Sequence, residues 1–483
     1  MAEVSLNHKK IFLTYPTGFM QPSDNTILHL GLGAFHRAHQ AYCLQNLIDR
    51  GRRDWTIVAA NIRPDPLDAG PALLAQGCAY TLETIDPAGA RAYQAIEAIS
   101  DVLPYSPSLE RVIASGAAAA TRIVSFTVTE AGYCLGADGR LDPDLPELQA
   151  ALADARNGAP GTTIYGVLTA ILRARRAAGA GPLTLLCCDN LRHNGDRVRA
   201  ALAAFLSLLG DGETAAWIAQ YASFPNSMVD RITPRADAGL RARVLAATGR
   251  DDAAAVTSES FFQWVIEDDF RNGRPSWEAA GAQMVADVAP YEEAKIRILN
   301  ASHSCIAWAG TLAGYRYIHE GIRDQRILAL VRGYVTEAVF DCLRPSPVDL
   351  EAYRDTVIAR FSGDAVRDTN ERVLADSLAK LPGFIVPTIR ERMARGLALD
   401  TVAVLPALYL VFLCRWQAGL VPADYRDGML DAGLLQRVCI GRDVVDAFCA
   451  EESVWGDLAG APTLVAAMRT AHAQALGLTY PPV

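Results

Sequence analysis

The stretch Lys295-Ile-Arg-Ile-Leu-Asn300-Ala-Ser-His303 places an amine, an amide and an imidazole within nine residues. Ile296, Ile298, Leu299, Ala301, Cys305, Ile306, Ala307 and Trp308 surround them, an apolar setting. Read as one α-helix, the stretch sets Lys295 and His303 about 12 Å apart along the axis at about 1.5 Å per residue. Eight residues is close to a whole number of turns, so the two project from neighbouring parts of one face. An apolar setting disfavours an ammonium ion, which makes the amine available as a base near neutral pH. An amphipathic helix with merely satisfied polar groups is the plain alternative.

Further candidates follow strand-like runs. Thr26–Leu30 leads into Gly31-Leu-Gly33. A glycine pair after a strand and before a helix permits a tight turn. It also lets a pyrophosphate approach the helix N-terminus, where free N–H groups and the helix dipole favour anions. His36 stands where the full dinucleotide fingerprint has a third glycine. Phe35 belongs either beside a cofactor or in the core. After the run Trp55–Ala60 comes Asn61-Ile-Arg63-Pro-Asp65-Pro-Leu-Asp68. At the end of a second strand an acid reads a ribose 2′-hydroxyl and repels a 2′-phosphate. Asp65 and Asp68 therefore favour NAD, while Arg63, able to pair with that phosphate, leaves NADP open. Asn190 follows the apolar run 182–188, at a strand's C-terminal end, where open α/β sheets bind ligands. Its amide can donate to a developing alkoxide without competing for the proton. Alone it reads equally as a turn residue.

These groups need elements to hold them. The first part of the chain alternates strand-like runs (26–30, 55–60, 122–128, 182–187) with helical patterns (38–50, 163–178, 195–208), which predicts a mostly parallel sheet covered on both faces. Near residue 285 the strand signals nearly vanish. Helical patterns follow at 290–312, 324–342, 348–361, 369–379, 399–418, 441–450 and 463–475, separated by breakers such as Pro345, Pro347, Pro382-Gly383 and Pro422. The expected architecture is an α/β Rossmann-like N-terminal domain, 1–285, followed by an all-α C-terminal domain, 286–483.

A chain of 483 residues is long for one core. Its net charge of −9 leaves no basic surplus to neutralise phosphates, which excludes a nucleic-acid partner as the expected one. The ten cysteines form no C-x-x-C pair and no Cys/His set, and no H-E-x-x-H occurs, so neither a disulfide framework nor a metal site is expected. The strongest apolar run, Val402–Trp416, contains Pro406 and is too short to span a bilayer. No long apolar segment follows Lys9 and Lys10. A cytoplasmic protein without a membrane partner is expected.

The Lys295…Asn300…His303 helix resembles that of the mannitol dehydrogenase family, the polyol-specific long-chain dehydrogenases. Three more segments carry the resemblance: Gly31-Leu-Gly33-Ala-Phe35-His36-Arg37-Ala-His39, Cys188-Asp189-Asn190-Leu-Arg-His193-Asn194-Gly195, and Phe224-Pro-Asn-Ser-Met-Val229-Asp230-Arg231-Ile-Thr-Pro234. The matches run in family order from about Ile27 to Pro387. The resemblance implies NAD(P)-dependent polyol or sugar-acid chemistry without catalytic zinc, in a cleft between the two domains. It implies Lys295 as base, Asn190 and Asn300 as an oxyanion site, and His303 as the group that positions hydroxyl or lysine. It implies that Asp230, Arg372 and Lys380 touch substrate, that Glu130 relays the lysine's proton to solvent, and that Val229 joins Gly31, Gly33 and Phe35 around the cofactor. From residue types alone, Asp230 beside Arg231 reads as an ion pair, and Arg372 and Lys380 as charges sharing a helix face eight residues apart.

The expected reaction is reversible oxidation of a secondary alcohol on a linear polyol to a ketose. Within the family, Lys295–Leu312 and the strand end Ala60–Arg63 resemble most the branch that converts D-arabinitol to D-xylulose. Mannitol oxidation and hexuronate reduction come next. A catalytically silent dinucleotide-binding sensor is the non-enzyme alternative, and an intact base argues against it. The resemblance also implies a monomer.

Overall fold

The computed structural model describes residues 24–128, 130–136, 139–364, 367–421, 425–441 and 443–479. The chain divides into two compact units, Met1–Ile85 with Ala90–Val288, and Asp86–Gly89 with Ala289–Val483.

The described part of the first unit contains twelve strands: β1 (Thr26–Leu30), β2 (Thr56–Ala60), β3 (Tyr80–Ile85), β4 (Arg91–Ile96), β5 (Ile99–Leu103), β6 (Thr121–Phe126), β7 (Leu183–Cys187), β8 (Ala222–Ser223), β9 (Ser227–Asp230), β10 (Val256–Glu259), β11 (Gln263–Glu267) and β12 (Gln283–Val285). Six form one sheet in the order β5-β2-β1-β6-β7-β8, and every pairing in it is parallel. Taken along the chain, that is the doubly wound order 3-2-1-4-5-6, which reverses between β1 and β6. Alternate residues enter two separate cores: Leu28, Leu30, Val124, Phe126 and Leu185 in one, Ile27, Ile57, Ile123 and Leu186 in the other. Both faces are thus buried, as a parallel sheet requires. Leu30 is level with Ala60 and Phe126, and Phe126 with Cys187. The residues that follow, Gly31, Asn61, Thr127 and Cys188, therefore emerge together at the carboxyl edge.

Two three-stranded sheets, β10-β3-β4 and β12-β11-β9, complete this unit. The sequence reading does not anticipate them. Their strands are short and carry polar residues such as Arg91, Gln94 and Gln263, so they lack a clear apolar alternation.

The second unit is helical, with no strand among its described residues. Its centre is the helix Asp400–Gln417, whose side chains from Val402 to Leu413 are all buried. A helix apolar all round needs neighbours all round. Pro462–Leu476 and Ala301–Leu312 supply two of them. Among the described residues no helix is long and apolar enough to cross a membrane.

Directly beneath the glycine turn, the His29 and His36 rings stack with centroids 3.4 Å apart. His29 Nδ1 lies 2.9 Å from Ser125 Oγ, which donates to Gln40 Oε1 at 2.9 Å. Burial pulls the His29 imidazole down to about 3, against hydrogen bonds to Gly31 and Gln40 that favour its charged form. Burial, then the neighbouring cationic groups, lowers His36 as well. The unfolded chain therefore binds more protons than the folded one below about pH 6.5, and stability falls as pH drops from there towards 3. Each such group steepens the loss by at most about 1.4 kcal/mol per pH unit. Urea unfolding midpoints should be level between pH 7 and 8 and should decline at pH 5.5. His36→Phe, which keeps a stacked ring, should flatten that decline; an unchanged slope would remove His36 from the account.

Candidate active site

The first unit contributes a glycine turn. Gly31 has φ of +109°, and a Cβ there would lie 2.2 Å from the Thr127 carbonyl oxygen. Both facts demand glycine. Thr127 closes the junction: its N–H donates to Leu30 O at 3.0 Å and its hydroxyl to Gly31 O at 3.1 Å. Gly33 is exposed, and a Cβ there would meet only Gly31 O, at 3.9 Å. The helix Ala34–Ala38 begins at Gly33 with no side chain capping it. An open glycine before an uncapped helix start fits the phosphates of a dinucleotide. Phe35 is half-buried and stacks on His39 at 4.9 Å.

At the end of β2 the residue that meets the turn is Asn61, which the sequence reading quotes but gives no role. Leu32 N–H donates to its Oδ1 at 2.8 Å, and its Nδ2 donates to Asp68 Oδ1 at 2.9 Å. Asp68 also accepts from Gly70 N–H, so its place is to brace Asn61. Asp65 is exposed and caps Leu67 N–H. Arg63 Nε donates to Thr162 O at 2.7 Å.

Asn190 is exposed, two residues past Cys188 on the same carboxyl edge. Its neighbour Asn194 is fully buried and donates to Asp189 O and Ser227 O while accepting from Ser227 N–H. Gly195, the second residue of the following helix, lies so close to Phe224 that a Cβ would come within 2.3 Å of that carbonyl. The Asn194-Gly195 pair is thus the anchor that holds the Asn190 loop. Val229 is buried in the core, and Asp230 beside it is 6% exposed in β9, paired in register with Gln263. The Arg231 guanidinium donates to Glu259 O and Ala38 O and lies 4.2 Å over the Tyr42 ring. Glu130 opens a short 3-10 turn, Glu130–Tyr133; its side chain lies outside the described residues.

The second unit carries the lysine helix, and here the structure corrects the sequence reading. Residues 289–312 are not one α-helix. Ala289–Ala294 runs into a π-helical turn, Lys295–Asn300, and then into Ala301–Leu312. Ala301 N–H bonds Ile296 O, five residues back. In an α-helix five residues turn about 500°, leaving Lys295 and Asn300 roughly 140° apart. A turn closed over five residues brings them towards one face. Lys295 is 8% exposed and Asn300 half-buried. Glu292, a carboxylate that the sequence reading passes over, is 5% exposed one helical turn before the lysine.

A second correction concerns Arg372 and Lys380. They do not share one helix. Asn370–Leu374 and Ser377–Lys380 are separate, divided by Asp376 in the left-handed region at φ 53°. Lys380 turns back and donates to Val373 O and Ala375 O, both at 2.6 Å, at the end of the first helix. Arg372 grips Asp368 with two hydrogen bonds of 2.6 Å. The same carboxylate lies 3.1 Å from His303 Nε2, out of line with the ring N–H. His303 also stacks on Phe361 at 4.6 Å. Asp368 is the partner of the candidate site residues that sequence reasoning misses most clearly. Its only signal is its place four residues before Arg372, the spacing of an i,i+4 ion pair.

Trp308 Nε1 donates to Ser377 Oγ at 2.9 Å, and a Cβ on Gly310 would meet Asn370 Nδ2 at 2.9 Å. The lysine helix is thereby fixed to the segment that carries Arg372 and Lys380. Within this unit Lys295, Asn300 and His303 lie on one continuous helix, and His303 meets Arg372 through Asp368. Asn190, Asp230 and the glycine turn belong to the first unit.

A doubly wound parallel sheet with a glycine turn at its switch point, followed by a helical unit bearing a buried lysine, defines a Rossmann-type dehydrogenase architecture. Residues 25–279 match the mannitol dehydrogenase Rossmann domain and residues 287–476 the mannitol dehydrogenase C-terminal domain. The chain belongs to the mannitol dehydrogenase family. It is 54% identical to a D-arabinitol 4-dehydrogenase of Ralstonia nicotianae, covering 93% of this chain and 96% of that protein. It is 48% identical to a D-arabinitol 4-dehydrogenase of Klebsiella pneumoniae, covering 92% and 96%. Among solved structures, it is similar to Pseudomonas fluorescens mannitol 2-dehydrogenase in a ternary complex with NAD and D-mannitol, with a TM-score of 0.79, 37% identity, and 94% and 92% of the two chains covered.

Burial lowers the His303 imidazole below its ordinary value, and Asp368 works against that. Burial alone would raise the Asp368 carboxyl, but the facing His303 imidazole and the hydrogen bonds from Arg372 hold it well below the usual carboxylate range. Replacing Asp368 by Asn removes the anion that favours imidazolium. The His303 ring should then titrate at a still lower pH in an NMR titration of its C–H protons. An upward shift would show that Asp368 does not act on His303.

Proposed function

We propose that the protein catalyses reversible, NAD-dependent oxidation of a secondary alcohol of a linear polyol to a ketose, with D-arabinitol to D-xylulose as the preferred conversion. The observation that carries the reading is a buried lysine at the head of a π turn, on one helix with Asn300 and His303. Identity of 54% and 48% to two D-arabinitol 4-dehydrogenases along nearly their full lengths supports the pentitol. The glycine turn, and the NAD in the complex of the Pseudomonas fluorescens relative, support the cofactor.

In this reading Lys295 accepts the proton of the reacting hydroxyl. Asn190 and Asn300 donate hydrogen bonds to the oxygen as negative charge develops on it. His303, buttressed by Asp368 and Phe361, positions the hydroxyl or the lysine. Glu130 passes the proton on to solvent. Asp230, Arg372 and Lys380 hold the remaining hydroxyls of the chain-like substrate. Gly31, Gly33, Phe35 and Val229 line the cofactor, with Asp65, Asp68 and Arg63 towards its ribose end. NAD, when bound, supplies the hydride acceptor. No metal enters the scheme, and the protein acts as a cytoplasmic monomer.

Lys295→Ala should cut kcat by roughly 10²–10⁴, the usual worth of general acid–base catalysis. It should also abolish the rise of polyol oxidation with pH, and small amines should restore part of the rate. Near-normal turnover with an unchanged pH profile would exclude this lysine as the base. Initial rates on D-arabinitol, D-mannitol, D-sorbitol, ribitol and xylitol, each with NAD and NADP, test substrate and cofactor together. D-Arabinitol with NAD should give the highest kcat/KM. NAD binding with no turnover on any polyol would favour a sensor. Activity should survive exhaustive chelation; loss restored by zinc would overturn the metal-free scheme.

A further inference from the structure

The carboxyl edge of the first unit contains a charged group to which neither the sequence reading nor the proposed reaction gives a role. Asp189 directly precedes Asn190, and one of its oxygens, Oδ2, receives two donors from another part of the chain. Val128 N–H, just past the end of β6, donates to it at 2.9 Å. The Tyr133 hydroxyl, at the close of the 3-10 turn, donates to it in a short hydrogen bond. Tyr133 is itself held: its hydroxyl lies 3.0 Å from Cys187 Sγ, and its carbonyl accepts from Tyr165 OH at 2.9 Å. Burial, then Cys187 and Asp189, pushes the Tyr133 phenol well above its ordinary range, so it remains a donor at any working pH.

The consequence is geometric. Val128 follows Thr127, whose carbonyl and hydroxyl close on Gly31. Asp189 follows Cys188, whose N–H donates to Phe126 O at 3.0 Å. The ends of β1, β6 and β7 are therefore tied in series across the switch point, and the tie between β6 and the Asn190 loop passes through one carboxylate oxygen. A carboxylate is suited to this because it accepts several hydrogen bonds at once and strengthens each by its charge. Asn190 is exposed, and its side chain sits one residue beyond that clip.

We propose that Asp189 is a positioning residue that sets Asn190 at the carboxyl edge by clipping the end of β6 and Tyr133 to the end of β7. The proposal rests on the reading of Asn190 as an oxyanion donor. A donor of that kind works only where it meets the developing charge, and a misplacement of about 1 Å can cost about 10² in rate.

The test is a double-mutant cycle on the full-length enzyme with D-arabinitol and NAD. Asp189→Ala, Asn190→Ala and the double variant are compared for kcat, KM, NADH affinity by fluorescence, and melting temperature. Asp189→Ala should lower kcat about 10- to 100-fold with little change in NADH affinity. The double variant should be no slower than Asn190→Ala alone, because a positioning residue has nothing left to position. Asp189→Asn, which keeps an acceptor oxygen, should recover most of the rate. If Asp189→Ala does not fold, Tyr133→Phe removes one of the two clipped donors and should show the same dependence on Asn190 at smaller size. Losses that multiply in the double variant would overturn the proposal while leaving Asn190 in its role. A normal kcat for Asn190→Ala would overturn both, and that outcome is visible in the single variant.

Discussion

The contact between Gly31 and Thr127 is the constraint on which the first unit turns. The sheet reverses its winding between β1 and β6, so the two chains leaving those strands part in opposite directions and open a crevice. At the point of parting, the Thr127 carbonyl comes so near that residue 31 can carry no side chain. The backbone there must also take a positive φ. From that point the rest of the edge is built outward: Asn61 and Asp68 brace the turn from β2, and Asp189 clips β6 to β7. Polar groups at the edge are tied to one another by hydrogen bonds, as groups leaving a sheet at a half-buried surface must be.

The second unit solves a different problem. It must present an amine, an amide and an imidazole from a helix whose other residues are core. Helical spacing alone would send Lys295 and Asn300 to different sides. One widened turn, Lys295–Asn300, changes that. Another π turn, Leu381–Ile385, follows Lys380, and there Pro382 supplies a local reason because it lacks an N–H. Nothing in the sequence around Lys295 gives such a reason. Its wide turn arises in a stretch held on either side by packing: Arg297 reaches Glu293 and Glu391, and its carbonyl accepts from Tyr334 OH at 2.9 Å.

Charge in this unit is shared rather than isolated. Asp368 serves Arg372 with both oxygens and faces His303 with one. Removing this carboxylate would leave the Arg372 guanidinium and the His303 imidazole without their common partner. The Lys380 amine is met by carbonyls at a helix C-terminus, where the backbone dipole favours a cation.

Much of this was legible in the sequence. The apolar runs that became β1, β2, β6 and β7 are short and bounded by turn residues, and the long helices of the second unit follow a 3.6-residue pattern, so local chemistry alone determines them. The glycine turn, Asn190 at a strand end, and the Lys295–Asn300–His303 set are likewise visible, because glycines and lone polar residues stand out in apolar surroundings. What the sequence could not decide is everything set by non-local neighbours. In the small sheets β10 pairs with β3 and β11 with β9 across long stretches of chain, while the local β3–β4 hairpin lacks a clear apolar alternation. The π turn at Lys295 and the break at Asp376 replace the uniform helices that periodicity implies, because packing overrides local preference. Asn61, Asp189 and Asp368 look like ordinary surface residues in one dimension. Only the tertiary structure gives each a partner distant in sequence, and the roles of Asn61 and Asp189 come wholly from those partners.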